Sequence, residues 1–193
     1  MEAIVLGGGL NTGPLKAVGG TRYEAGIPIN NRPMVEYIIN VLEEMEEVEK
    51  VLVVIPDGII TPEKWRKVKI LPPGERMIDS LIHAIQHAEP TAYVLVIASD
   101  IPFITKEAIR DFLANCRQRP AEIYYPFVPK TAVHAKYPST KRTYVRLKEA
   151  TVTGGNVFLI QPRILLAYRD RIEQAIALRK HPIKLCRMLG FKF

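Results

Sequence analysis

Cysteine is scarce: Cys116 and Cys186 lie far apart, with no cluster of histidines beside either. Such usage supports neither a disulfide framework nor a structural zinc site, and it fits a reducing, cytoplasmic compartment. Long apolar runs are missing too. The opening "AIVLG" is too short to span a bilayer, and it lacks the basic lead-in and cleavage pattern of a secretory signal, so no membrane partner is expected. There is no repeat and no low-complexity linker. Several catalytic signatures are also absent. Gly13 is followed by Pro14 and Leu15 where a Walker loop needs Lys and Ser/Thr, and Thr12 stands where the dinucleotide fingerprint has glycine. Ser99 lacks the Gly-x-Ser-x-Gly elbow of a hydrolase nucleophile. His83 and His87 are spaced i, i+4, but Ala84 replaces the glutamate of a zinc protease and no third ligand follows.

What is present describes an ordinary globular chain of 193 residues, 48% hydrophobic and 24% charged, expected to form one domain over 1–193. The net charge of +7 is concentrated at the C-terminal end, where positions 161–193 hold eight Lys/Arg against Asp170 and Glu173. This basic pole reads either as a solvated helix surface or as an attractor of polyphosphates and acidic partners. No nucleic-acid recognition motif accompanies it, so only weak, salt-sensitive, non-specific association with nucleic acid is expected. The acid-rich Glu43–Lys50 segment reads as a solvated helix end.

Hydrophobic periodicity supplies the architecture. "AIVLG", "KVLVVIP" and "AYVLVIAS" are unbroken apolar runs, each followed by a helical pattern: Pro33–Met45, Arg76–Ala88, and Thr105–Gln118 with Thr105 as its cap. Strands that are apolar throughout and joined by helical crossovers predict a parallel sheet covered on both faces, hence a three-layer α/β/α sandwich. After Ala121 the rhythm changes to strand-like runs, "AEIYYPFVP" and the two halves of "STKRTYVRLKEATVTGGNVFLIQP" interrupted at Gly154 and Gly155, predicting a mixed or antiparallel edge. Tyr124, Tyr125 and Phe127 can stack a base, but their alternation with apolar residues is the pattern of core strand side chains. The last segment is helical, with a break or kink at Pro182.

Two features fall at strand ends. Gly7, Gly8 and Gly9 follow the first strand, where bare backbone lets N–H groups approach an anion. Asp100 follows the third, at the same carboxyl rim, where a carboxylate can hold a hard cation that bridges phosphate oxygens. An Asx turn ahead of Pro102 is the plainer reading of that aspartate.

Taken in order, "AIVLGGG", "IPINNRPMVEYIINVL", "VLVIASDIPFIT", "KRTYVRLKEATVTGGNVFLIQP" and "ALRKHPIKLCRMLGF" resemble the MobA-like NTP transferase family, nucleotidyltransferases with a GT-A type fold. The resemblance covers nearly the whole chain. It implies a mostly parallel, mixed-edge sheet, Mg²⁺ dependence, and transfer of an NMP group from an NTP to a phosphorylated or other small acceptor with release of pyrophosphate. It also implies site residues. Leu6, Gly7, Gly8, Gly9 and Ser99 hold the nucleotide, Asp100 binds the metal, and Gly74, Asp79 and Ser80 contact base or ribose. Thr153, Gly154, Gly155 and Asn156 face the acceptor with Arg142, and Lys141 or Arg146 adds charge.

Three departures from the family pattern accompany the resemblance. Tyr23-Glu24 stands where a Pro-Lys pair is usual, which leaves Lys16 and Arg22 to supply positive charge. A second acidic metal ligand is missing after Asn156, and a further segment beyond Phe193 is the expected source. The glycine loop is also longer and less regular than usual. Two alternative readings remain: a nucleotide-sugar glycosyltransferase, which conventionally displays Asp-x-Asp where this chain has Ala98-Ser99-Asp100, and a non-catalytic nucleotide-binding regulatory module, which Glu24 would suit.

Overall fold

The computed structural model describes residues 1–178 and Met188, apart from positions 14, 90, 91, 141 and 148. The expected kink at Pro182, Cys186, Lys141, the segment "RKHPIKLCR" and most of the basic pole therefore lie outside the described residues.

In chain order the elements are β1 (Glu2–Leu6), the single-turn α1 (Lys16–Gly19), the short hairpin β2 (Pro28–Ile29) and β3 (Arg32–Pro33), and α2 (Met34–Glu43). There follow β4 (Lys50–Val54), β5 (Val68–Leu71), α3 (Met77–Gln86), β6 (Val94–Ala98) and α4 (Lys106–Cys116). The remainder comprises β7 (Ile123–Tyr124), β8 (Phe127–Pro129), α5 (Lys130–Lys136), β9 (Val145–Arg146), β10 (Thr151–Gly154), β11 (Val157–Ile160), α6 (Pro162–Ala167) and α7 (Arg169–Leu178).

The central sheet runs β5-β4-β1-β6-β11-β7, with parallel pairing from β5 to β6 and antiparallel pairing from β6 to the β7 edge. The three predicted strand–helix units are present, and so is the mixed edge. Alternation along the central strands sorts their side chains into two cores. Ala3, Val5, Val51, Val53, Leu95 and Ile97 meet Val35, Ile38, Ile39 and Leu42 of α2 and Ile109 and Leu113 of α4. Ile4, Leu52, Val54, Val94 and Val96 meet Ile78, Leu81, Ala84 and Ile85 of α3 and Leu165 of α6 on the other face. Beyond the paired Glu2 and Lys50 at the starts of β1 and β4, strands buried on both sides leave no polar position, which is why they read as continuous apolar runs.

Several local expectations need correction. Pro33 precedes α2 instead of occupying its first turn, because it belongs to β3 and pairs with Pro28. "AEIYYPFVP" is not one strand. Tyr125 and Pro126 part it into β7, in the central sheet, and β8, in a separate three-stranded sheet ordered β8-β10-β9. The Glu43–Lys50 acids are engaged as well as solvated: Glu43 accepts from the backbone amides of Arg66 and Lys67, Glu44 pairs with Lys106, and Glu47 pairs with Arg110. The Thr105 cap is as expected, its hydroxyl accepting from the Ala108 amide at 3.2 Å. Cys116 is buried, which pushes its thiol pKa up and keeps it a packing residue. Among the described residues no helix is long and apolar enough to cross a membrane.

Candidate active site

The topology itself selects the crevice. From β1 the chain adds β4 and β5 on one side and then returns to place β6 on the other, so the strand order reverses at β1. In an open parallel sheet, ligands bind outside the carboxyl ends at such a switch. The glycine loop and Asp100 emerge there together. The Gly7 amide donates to the Val54 carbonyl at 2.9 Å, and the amide of buried Ser99 donates to the Leu6 carbonyl at 3.0 Å, which ties the ends of β1, β4 and β6.

The three glycines differ in what surrounds them. A Cβ on Gly7 would run into the Ile55 side chain and lie 3.0 Å from the Ala25 Cβ, and one on Gly8 would lie 2.9 Å from Pro73. Bare backbone at these two positions thus serves close packing. Gly9 is different, for the nearest atom to its Cβ would be a Glu24 carboxylate oxygen at 3.6 Å. We expect Gly7→Ala to cost about 1–3 kcal/mol by overpacking, and Gly9→Ala to be near neutral, in urea melts of the two variants. Equal stability of the pair would contradict this division.

The segment after Gly9 folds back on itself. Leu10 bridges to Tyr23, the Asn11 amide donates to the Arg22 carbonyl, and the Glu24 amide donates to the Gly9 carbonyl at 3.0 Å. A half-buried acid, Glu24, thereby stands beside the loop at the position where the resemblance implied a lysine. Lys16, on α1, and Arg22 are exposed, and the Arg22 guanidinium lies 5.5 Å over the Tyr23 ring.

Across the crevice, Asp100 is exposed and its Oδ1 accepts from Asn156 Nδ2 at 2.7 Å. Asn156 is placed by its own carbonyl, which accepts from the Ala98 amide at 2.9 Å and continues the β6–β11 ladder. These two residues, far apart in sequence, are thus brought together at the rim. Arg142 donates to the Gly154 carbonyl at 3.4 Å, and Arg146 is exposed on β9. Thr153 is buried in β10, paired with Val128 of β8, and half-buried Gly155 donates its amide to the Pro126 carbonyl at the turn into β11.

The 74–80 segment follows Pro73, which lies beside Gly8, a Cβ on Gly8 coming 2.9 Å from the Pro73 Cβ. Buried Ser80 accepts from the Gly74 amide at 2.9 Å, and a Cβ on Gly74 would lie 2.7 Å from the Asp79 Cβ. Asp79 binds Arg76 at 2.8 Å and Arg169 at 2.6 Å, while Arg76 also pairs with Glu173, so α3 and α7 are tied by charge. The hydrogen bond from Arg76, with the nearby charges of Arg76 and Arg169, holds the Asp79 carboxyl below its ordinary 3.8. A depressed folded pKa gives a contribution fully present above 3.8 and lost as pH falls through the lower folded value. Asp79→Asn should therefore speed amide exchange in α7 at neutral pH, with the difference from wild type shrinking below that window; a difference independent of pH would refute the tether.

His83 and His87 sit edge to face with ring centroids 4.6 Å apart, their Nδ1 atoms against the carbonyls of Pro72 and His83. Among the described residues no group of three or more His, Cys, Asp or Glu is positioned to hold a metal ion.

Comparison with known proteins bears on the family and the fold. The family model of the MobA-like NTP transferase domain matches residues 3–181. A hypothetical transferase from Thermus thermophilus superposes with a TM-score of 0.76 at 33% identity, covering 99% of this chain and 79% of that one. The 2-C-methyl-D-erythritol 4-phosphate cytidylyltransferase of Bacillus cytotoxicus is 28% identical over 157 residues, which is 75% of this chain and 69% of the relative. The structure of CMP:2-keto-3-deoxy-manno-octonic acid synthetase complexed with CTP shares the fold, with a TM-score of 0.65 at 16% identity over 98% of this chain and 87% of that one.

Proposed function

Since the chain belongs to the MobA-like NTP transferase family and is a nucleotidyltransferase, we propose that it transfers CMP from CTP to a small phosphate-bearing acceptor, with magnesium and release of pyrophosphate. One observation carries the reading: Gly7–Gly9 and the Asp100–Asn156 pair meet at the strand-order switch. The choice of CTP is supported by the cytidylyl chemistry in the relative's name and by the nucleotide bound in the synthetase.

An acceptor phosphate oxygen forms a bond to the α-phosphorus of CTP as the bond to the bridging oxygen breaks, and pyrophosphate leaves with that electron pair. An anionic oxygen needs no protein base. The demand on the protein is alignment and neutralisation of charge. The loop amides at Gly8 and Gly9 would receive the triphosphate, and the 74–80 segment the base or ribose. Asn156 would orient the Asp100 carboxylate, and Arg142 would meet the acceptor's phosphate. Lys16 and Arg22 would supply cationic charge on the nucleotide side.

Asp100 suits a hard cation, because magnesium is commonly held by one or two carboxylates together with substrate phosphates and needs no cage of three acids. Bound there, magnesium would offset the negative charge gathered on the triphosphate.

A panel of CTP, UTP, ATP and GTP with Mg²⁺ in a thermal melt tests the assignment. CTP should raise the midpoint most, since a ligand at a hundred times its Kd stabilises the folded state by about 2.7 kcal/mol. No shift with any triphosphate at millimolar concentration would end the nucleotide reading, and a shift with another base alone would replace CTP.

A further inference from the structure

A separate cavity of about 310 Å³ opens between the β2–β3 hairpin, the N-terminal part of α2 and the segment that joins β4 to β5. Asn31, Arg32, Glu36, Asn40, Lys64 and Trp65 line it, and neither the glycine loop nor Asp100 and Asn156 take part. Its carboxylate belongs to Glu36, which is only 5% exposed. Lys64 Nζ donates to Glu36 Oε1 at 3.0 Å, whereas Arg32 comes no closer than 3.8 Å, through Nε. Two cations therefore share one anion, and a positive charge is left over. Among the described residues the terminal nitrogens of the Arg32 fork make no hydrogen bond, and Lys64 keeps two of its three donors.

Both cations are held in place before any ligand arrives. The Arg32 guanidinium lies 5.5 Å over the Tyr37 ring, which is pinned by the bond from its hydroxyl to the Ile29 carbonyl at 2.8 Å. Lys64 Nζ lies 5.8 Å over the Trp65 ring, which is pinned by the bond from Nε1 to Asn40 Oδ1 at 2.7 Å. Asn30 and Asn31 both have positive φ, 48° and 60°, the conformation of a two-residue type I′ hairpin turn, and this turn sets Asn31 and Arg32 at the lip. Cations ordered in advance around an open volume lose little side-chain freedom when an anion binds.

We propose that this cavity is a second ligand site, outside the crevice, for a phosphate monoester on a hydroxyl-rich body of sugar size. The planar fork of Arg32 takes two phosphate oxygens side by side, and Lys64 meets the third as a point charge. A carboxylate has two oxygens and would leave one of the cations unmet. The side-chain amides of Asn31 and Asn40 stand on the same wall to bond hydroxyls. The volume lies at the lower end of the range of about 300–1,000 Å³ in which clefts take small molecules. The inference is independent of the nucleotidyl-transfer reading, since no residue of the crevice enters it.

Trp65 is the single tryptophan of the chain, so its indole N–H resonance in the full protein reports this cavity directly. Titration with glucose 6-phosphate should move that resonance to saturation at millimolar concentration. Glucose should leave it still, and gluconate, which carries a carboxylate on a similar body, should bind about fivefold more weakly or worse. Arg32→Gln and Lys64→Gln should each weaken the phosphate probe about tenfold. The two side chains are 50% and 55% exposed, so neither replacement opens the core. Arg66→Gln removes a cation that is 93% exposed and outside the lining, and it should change nothing. No saturable shift with glucose 6-phosphate would overturn the site, and so would gluconate or inorganic phosphate binding as tightly as the sugar phosphate. An equal loss in Arg66→Gln would do the same, because the attraction would then be that of a basic surface and not of a built cavity.

Discussion

Asp100→Asn is expected to lower CMP transfer about a thousandfold or more while leaving the melting midpoint of the ligand-free protein nearly unchanged. The activity loss follows from the carboxylate's place at the carboxyl end of β6, where the charge it would supply for the proposed magnesium is worth several kcal/mol in the transition state. Stability should survive because Asp100 is exposed and, among the described residues, its hydrogen bond comes from Asn156 Nδ2. An Asn side-chain oxygen can accept the same bond, and the turn ahead of Pro102 tolerates either residue. Pyrophosphate release and thermal melting, measured on one preparation, check both halves. Retained turnover would remove Asp100 from the site, and a large loss of ligand-free stability would return it to the role of a turn residue.

Glu24→Lys should do the opposite and tighten CTP binding tenfold to a hundredfold at low salt. Glu24 is fixed beside Gly9 by the bond from its own amide, so its carboxylate faces the loop proposed to take the triphosphate. A unit charge about 4 Å from another is worth roughly 1–4 kcal/mol between bulk water and a protein surface. The substitution reverses the sign of that charge, and salt screening reduces the gain. Calorimetric titration of CTP at two ionic strengths gives the answer. The gain should shrink as salt rises through 0.15 M, where the Debye length is about 8 Å. An unchanged affinity at low salt would mean that the triphosphate lies elsewhere and that Glu24 is not the counterpart of the family's lysine.

By itself the sequence determined the layered core and the strand ends at which the proposed site lies. β1, β4 and β6 are buried on both faces, and that condition leaves an unbroken apolar run in each. Asp100 and the glycines were legible for the same reason, as polar or bare positions directly after such runs, and Thr105 announced its helix because capping is a contact within four residues. β5 was not legible, since "VKIL" is a short edge strand whose exposed Lys69 interrupts the apolar signal. Nor could the sequence show that Tyr125 and Pro126 divide one apparent strand between two sheets, or that Gly7 and Gly8 are bare partly to admit Ile55 and Pro73. Tertiary structure alone decided the pairing of Asp100 with Asn156 and the stacking of Tyr125 on Phe158. Local patterns record which face of an element is buried, whereas these contacts join residues distant in the chain and exist only once the β6–β11 ladder has formed.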